Sequence, residues 1–206
     1  MTKTNIHSIV LASGNQGKIR EIKQILNKAL PGIEVKGLKD FPSIGDIPET
    51  GKTFQENALI KARTVMKETG LISIADDSGL VVPALGGDPG VYSARYAGEN
   101  ATDQDNNDKL LQAMANLDGD QRQASFVCVM AAVMPDGREM TVQGEWKGLI
   151  ALTEKGDNGF GYDPLFYDPE LGLHSAQMKP ELKNSRSHRG KALDKLASKW
   201  RDFVQS

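Results

Sequence analysis

The chain has 206 residues, 39% hydrophobic and 25% charged, with a formal net charge of −2: enough apolar material for a substantial core, and no basic surplus for gripping nucleic acid. No low-complexity tract, internal repeat or apolar run of roughly 18 residues interrupts it, which argues against disordered, solenoid and membrane-spanning chains. The N-terminal MTKTNIHSIV has no long apolar stretch and no small-residue cleavage site, so a cytoplasmic protein is expected.

Residues 9–12, IVLA, form a short apolar run that reads as a buried strand. Ile19, Ile22, Ile25, Leu26 and Ala29 then recur at helical spacing until Pro31-Gly32. SGNQGK, residues 13–18, joins the two. Gly14 and Gly17 let backbone approach an anion, the first-turn amides donate, and Lys18 adds a full charge to the partial one of the helix end. The junction therefore suits a phosphate, although an ordinary strand-to-helix turn with a solvated lysine accounts for these six residues equally well. A Walker loop does not fit, because Ile19 stands where that pattern has Ser or Thr.

Thr53 and Glu56, spaced as a capping box, open a second helix through Phe54, Ala58, Ala62, Val65 and Met66 to Gly70, with Asn57 and Lys61 on its polar face. Residues 71–75 read as a strand ended by Asp76 and Asp77, and 81–85 as a further apolar run. GGDPGVYSARYAG, residues 86–98, reads as a loop, and Thr102 opens a third helix with Leu110, Leu111, Met114 and Leu117 on its apolar face. Residues 124–134 and 138–152 read as two strands of an antiparallel hairpin turned by Pro135-Asp136-Gly137. From 156 to 187 the pattern is irregular. A last helix begins at Arg189, with Leu193, Leu196, Ala197 and Trp200 on one face.

Adjacent carboxylates at the end of a buried strand repel one another and are costly to desolvate, so Asp76-Asp77 requires a cation, hydrogen bonds or open water. His7, His174 and His188 are scattered and Cys128 lies in the apolar run SFVCVMAAVM, so zinc is disfavoured, the thiol is expected to be a core residue, and a hard cation such as magnesium is the expected metal. Glu49 is a weaker candidate ligand, and a turn at Ser78-Gly79 hydrogen-bonded by the two acids is the plainer alternative. Phe160 and Tyr162, set among glycines in GFGYDP, either stack a base or pack into a core. Arg186, Arg189 and Lys191 around SHRG either donate to a ligand or are solvated surface charges.

Together SGNQGK, ADDSGL, PGVYSARYAG, GFGYDP and SHRGKAL, in this order along nearly the whole chain, resemble the inosine triphosphate pyrophosphatase family, closest to its bacterial branch. The resemblance implies an α/β fold with an elongated mixed central sheet flanked by helices, and two lobes of one domain, 1–206, with the active-site cleft between them. It also implies a homodimer that uses Mg2+ to hydrolyse ITP, dITP or XTP to the monophosphate and pyrophosphate. Carried over by residue, Ser13, Gly14, Asn15, Gln16, Gly17 and Lys18 would bind phosphate, with Asp77 as metal ligand and proton acceptor for water. Asp76 and Glu49 are further metal candidates. Ser78 would touch substrate, Phe160, Gly161, Tyr162 and Asp163 would line the base and sugar, and Lys183, His188 and Arg189 would read the purine edge. Asn57 and Lys61 would face the phosphates. Ser13 stands where many relatives have Thr, and Leu182 where an acid is common.

Arg189 only donates, which suits a 6-oxo purine and disfavours adenine; refusing guanine requires a pocket that leaves its 2-amino group unpartnered. A catalytically silent nucleotide sensor and a kinase are the rival functions. The first has no evident use for paired acids, and the second would release a nucleoside diphosphate.

Overall fold

Strands apolar on both faces form the centre of the fold. The computed structural model describes residues 8–205, which run β1 (Ser8–Leu11), α1 (Gln16–Ala29), β2 (Glu34–Gly37), α2 (Phe54–Thr69), β3 (Ile72–Val81), α3 (Asp103–Ala113), β4 (Gln123–Val133), β5 (Glu139–Ile150), β6 (Phe166–Asp168), β7 (Leu173–His174), α4 (Pro180–Arg186) and α5 (His188–Gln205). The strands make one mixed sheet in the order β2-β1-β3-β4-β5-β6-β7, parallel where β1 meets β2 and β3, antiparallel where β6 meets β5 and β7. The fold is thus α/β, a seven-stranded mixed sheet flanked by helices.

The described residues fall into two compact units. The first takes those up to Asp77, Cys128–Gly144 and those from Arg189; the second takes Ser78–Val127 and Glu145–His188.

In the first unit the period of two sorts side chains cleanly. Ile9, Leu11, Ile72, Ile74, Cys128, Met130 and Ala132 pack with Ile22 and Leu26 of α1 and Leu193, Leu196 and Trp200 of α5. The alternate residues Val10, Ala12, Ala75, Val129, Ala131 and Val133 pack with Ala58, Ala62 and Val65 of α2. Burial pushes the Cys128 thiol up to about 12, so it is a core residue. In the second unit Leu80, Leu110, Met114, Phe126, Trp146, Ile150, Tyr162 and Phe166 share a core. There Arg122 donates to the carbonyls of Met114, Leu117, Ile150 and Ala151.

Several elements differ from their sequence patterns. β3 runs unbroken through DDSGL to Val81, so the two acids are interior to a ten-residue strand instead of ending it. They lie just beyond the stretch paired with β1, whose register ends at Leu11 opposite Ile74. The apolar run after them is not a second strand, because Pro83–Leu85 forms a 3-10 turn. β2, β6, β7 and α4 have no counterpart in the pattern, being two to seven residues long. The hairpin turn holds, with Met134 N–H donating to the Arg138 carbonyl and Gly137 at φ +92°. His7 lies outside the described residues, and no helix of the described residues is long and apolar enough to cross a membrane.

Leu196 is wholly buried where α5 docks on the sheet, so Leu196→Ala should lower stability by about 2–5 kcal/mol, read as a fall in the urea unfolding midpoint at unchanged slope.

Candidate active site

The phosphate-loop candidate begins where β1 ends. Asn15 is the N-cap of α1, its side chain accepting from Lys18 N–H at 3.0 Å, so the helix starts at Gln16 and Gly17 and Lys18 belong to its first turn. That cap satisfies only one of the amides a helix start leaves over. Ser13 is buried, whereas Gly14 and Asn15 are exposed, and a Cβ at Gly14 would meet nothing within 4 Å.

From this first turn Lys18 Nζ reaches to 3.3 Å of Asp76 Oδ2. Asp76 shares the parity of Ile72 and Ile74 and so projects to the face of β3 covered by α1 and α5. The second cation there is Arg189 of α5, with Nε 3.9 Å from Asp76 Oδ2 and a hydrogen-bonded ion pair to Glu21. Asp77 projects to the opposite face, over α2. It accepts from Asn57 Nδ2 at 3.1 Å and lies 3.6 Å from Lys61 Nζ, which also bonds Glu49 at 2.5 Å. Asn57 in turn accepts from Gly51 N–H at 2.8 Å, where a Cβ would come within 2.7 Å of the amide oxygen, so glycine is required at 51 for this seating. The face of α2 that reads as polar is therefore buried against carboxylates.

The two acids are in opposite electrostatic states. Asp76 is 1% exposed; burial pushes its pKa up, but Lys18, Arg189 and Lys61 outweigh this and hold it at about 2. Asp77 is 4% exposed, and for it burial outweighs Lys61 and Lys18, so its pKa is raised. Burial acts to lower Lys61, yet Asp76, Asp77 and Glu49 raise it overall and keep it charged.

Among the described residues no three His, Cys, Asp or Glu side chains form a group able to hold a metal ion. Magnesium is usually bound by one or two carboxylates with substrate phosphates and water completing the shell. Asp77 and Glu49 fit that partial donor set, since both already converge on one cation, the Lys61 ammonium. Asp76, committed to Lys18 and Arg189, is the poorer candidate.

In the second unit the base-loop candidate is organised around Asp163. Its carboxylate accepts from Phe160 N–H at 2.8 Å, Ser175 Oγ at 2.7 Å and Lys183 Nζ at 2.6 Å. Lys183 Nζ stands 5.1 Å from the centroid of the half-buried Phe160 ring. Tyr162 does not present a face: it is buried in the core, its hydroxyl donating to the Ser93 carbonyl at 2.8 Å. Of the two aromatics in GFGYDP, one packs and one remains partly open. His188 is buried and stacked on Phe126 at 4.8 Å. Arg189, 2% exposed, is held by carboxylates of the first unit, Glu21 and Asp76. Ser78 is half-buried in β3 at the start of the second unit.

Glu21, Ser175 and Phe126 are functional neighbours that pattern reading passes over. Only Glu21 carries a signal, lying three residues after Lys18 and so on the same helix face.

The Ham1 family model matches residues 9–199, and the chain belongs to that family. It is 52% identical, over 98% of its length and 99% of the relative's, to a dITP/XTP pyrophosphatase of Nitratidesulfovibrio vulgaris. It is 48% identical to one of Photorhabdus laumondii, over 96% and 100%. Among solved structures it superposes on a HAM1 protein from Coxiella burnetii with a TM-score of 0.87 at 44% identity, covering 96% of this chain and 100% of the other. A Staphylococcus aureus Ham1 protein gives 0.85 at 44%, covering 95% and 98%.

The electrostatics predict opposite stability changes for two equal substitutions. A carboxylate whose pKa falls on folding stabilises above its ordinary value of 3.8 and loses that contribution as the pH falls through about 2, so Asp76→Asn should cost about 2 kcal/mol at pH 7. A carboxylate whose pKa rises on folding opposes the fold once the pH passes that range, so Asp77→Asn should be more stable than the parent at pH 7. Urea unfolding at pH 7 checks both signs.

Proposed function

We propose that this protein hydrolyses the non-standard purine nucleoside triphosphates ITP, dITP and XTP to the monophosphate and pyrophosphate, removing them from the nucleotide pool before they enter DNA or RNA. The observation that carries the reading is the charge cluster of the first unit, in a chain alike from end to end to dITP/XTP pyrophosphatases. Two lysines there, Lys18 in the first turn of α1 and Lys61 midway along α2, are held on carboxylates, ready for an anionic chain.

Lys18, Lys61 and the first-turn amides of α1 take the triphosphate tail. Water attacks the α-phosphorus, the bond to the bridging oxygen breaks, and pyrophosphate leaves with its charge met by the two ammonium groups. Asp77 accepts the proton of that water, and Asn57 holds its second oxygen. Asp77 and Glu49 would hold Mg2+, which would supply Lewis-acid charge neutralisation when bound.

The base stacks on Phe160, and Lys183, which only donates, meets a 6-oxo acceptor. Adenine presents a donor at that position and is refused. The family resemblance also supports a homodimer acting in the cytoplasm.

A panel of nucleoside triphosphates with Mg2+ tests this. ITP, dITP and XTP should give monophosphate and pyrophosphate, ATP little of either, and chelation by EDTA should stop turnover until Mg2+ is restored. Release of diphosphate and inorganic phosphate, or equal use of ATP, would contradict the reading. Asp77→Asn should fold and lose about 10²–10⁴-fold in kcat; unchanged turnover would remove Asp77 from the mechanism.

A further inference from the structure

We propose that Asp103 and Asn107 of α3 are positioning residues for base recognition: they clamp Gly161 and so fix the Phe160 ring beneath the Lys183 ammonium. The inference rests on the reading above that this loop takes the base. It concerns residues outside that machinery.

Gly161 is held at both of its backbone polar atoms. Its N–H donates to Asp103 Oδ2 at 2.7 Å, and its carbonyl accepts from Asn107 Nδ2 at 3.2 Å. Asp103 and Asn107 are four residues apart and therefore lie on one face of α3, gripping a glycine turned to φ +62°. The residues around Gly161 are fastened as well: Phe160 N–H to Asp163, Tyr162 hydroxyl to the Ser93 carbonyl, and Asp163 to Ser175 and Lys183. Within this segment the Tyr162 ring is packed into the core, whereas the Phe160 ring is half-buried with Lys183 over it. A platform fixed before the base arrives leaves less ordering to be done on binding.

Asn107 is an expensive residue for its location. It is 2% exposed, on the side of α3 that continues with the buried Leu110 and Met114, and its Oδ1 finds no hydrogen-bond partner among the described residues. Leucine at 107 would extend the apolar stripe and remove that orphan acceptor. Packing therefore gives no reason for asparagine here, whereas the bond to Gly161 does. Asp103 is likewise spare for helix capping, since Thr102 and Asp105 already form the capping box of α3.

Asn107→Leu and Asp103→Ala should raise KM for ITP about tenfold, the loss of roughly one hydrogen bond's net contribution, with kcat within about twofold of the parent. Inhibition by inorganic tripolyphosphate, which has no base, should be unchanged, and the thermal midpoint of Asn107→Leu should not fall. Asp103→Asn keeps an acceptor oxygen and should restore the parent KM. Amide hydrogen exchange of the 159–163 segment should quicken in Asn107→Leu and Asp103→Ala with no nucleotide present. Unchanged exchange would overturn the clamp whether or not the protein turns over ITP. Quickened exchange with an unchanged KM for ITP, or an equal loss of tripolyphosphate and ITP binding, would overturn its role in base recognition. A parent protein inactive on ITP would instead count against the function proposed above.

Discussion

A β-strand sends successive side chains to opposite faces, and the charges of the first unit are arranged around what this does to Asp76 and Asp77. Side by side on one face, two buried carboxylates would repel at close range and one would hold its proton. On opposite faces of β3 they meet different surroundings: Asp76 is buried with Lys18 and Arg189, while Asp77 faces Asn57 and Lys61 of α2. Burial acts on both, and the supply of positive charge decides between them. One acid is an anchor for cations, and the other is an ionisable group kept in tension with its environment.

That division follows what each position contributes. A buried, fully ionised Asp76 is worthwhile only with its cations in place, and it holds Lys18 at the start of α1 and Arg189 at the start of α5. Asp77 sits where its charge opposes folding, the usual mark of a position kept for chemistry. Asn107 in the second unit has the same character, a buried polar side chain with an unsatisfied acceptor at a place where leucine would pack.

Much of this was legible in the residues. The apolar run before SGNQGK, the 3.6-residue spacing after it, the cap at Thr53 and the Pro135-Asp136-Gly137 turn each report a local physical requirement, and each element is present. Short edge elements such as β2, β6 and β7 are stabilised by neighbours and leave too few residues to show a period. The extension of β3 through Asp76 and Asp77 was hidden because polar residues there break the apolar pattern while lysines and an arginine distant in sequence compensate them. Tyr162 and Phe160 are equivalent in the motif, and only the Ser93 carbonyl and the surrounding core distinguish the packed ring from the open one. Arg189 sits in a motif shared with His188, but its partners Glu21 and Asp76 come from elsewhere in the sequence.

The most direct test of the central claim is a carbon-13 NMR titration of the side-chain carboxyls of Asp76 and Asp77 in the intact protein without nucleotide. The account predicts that Asp77 takes up its proton first as the pH falls, above the ordinary aspartate value of 3.8, while Asp76 stays ionised down to about 2. Both carboxyls titrating together near 3.8, or Asp76 protonating first, would contradict it.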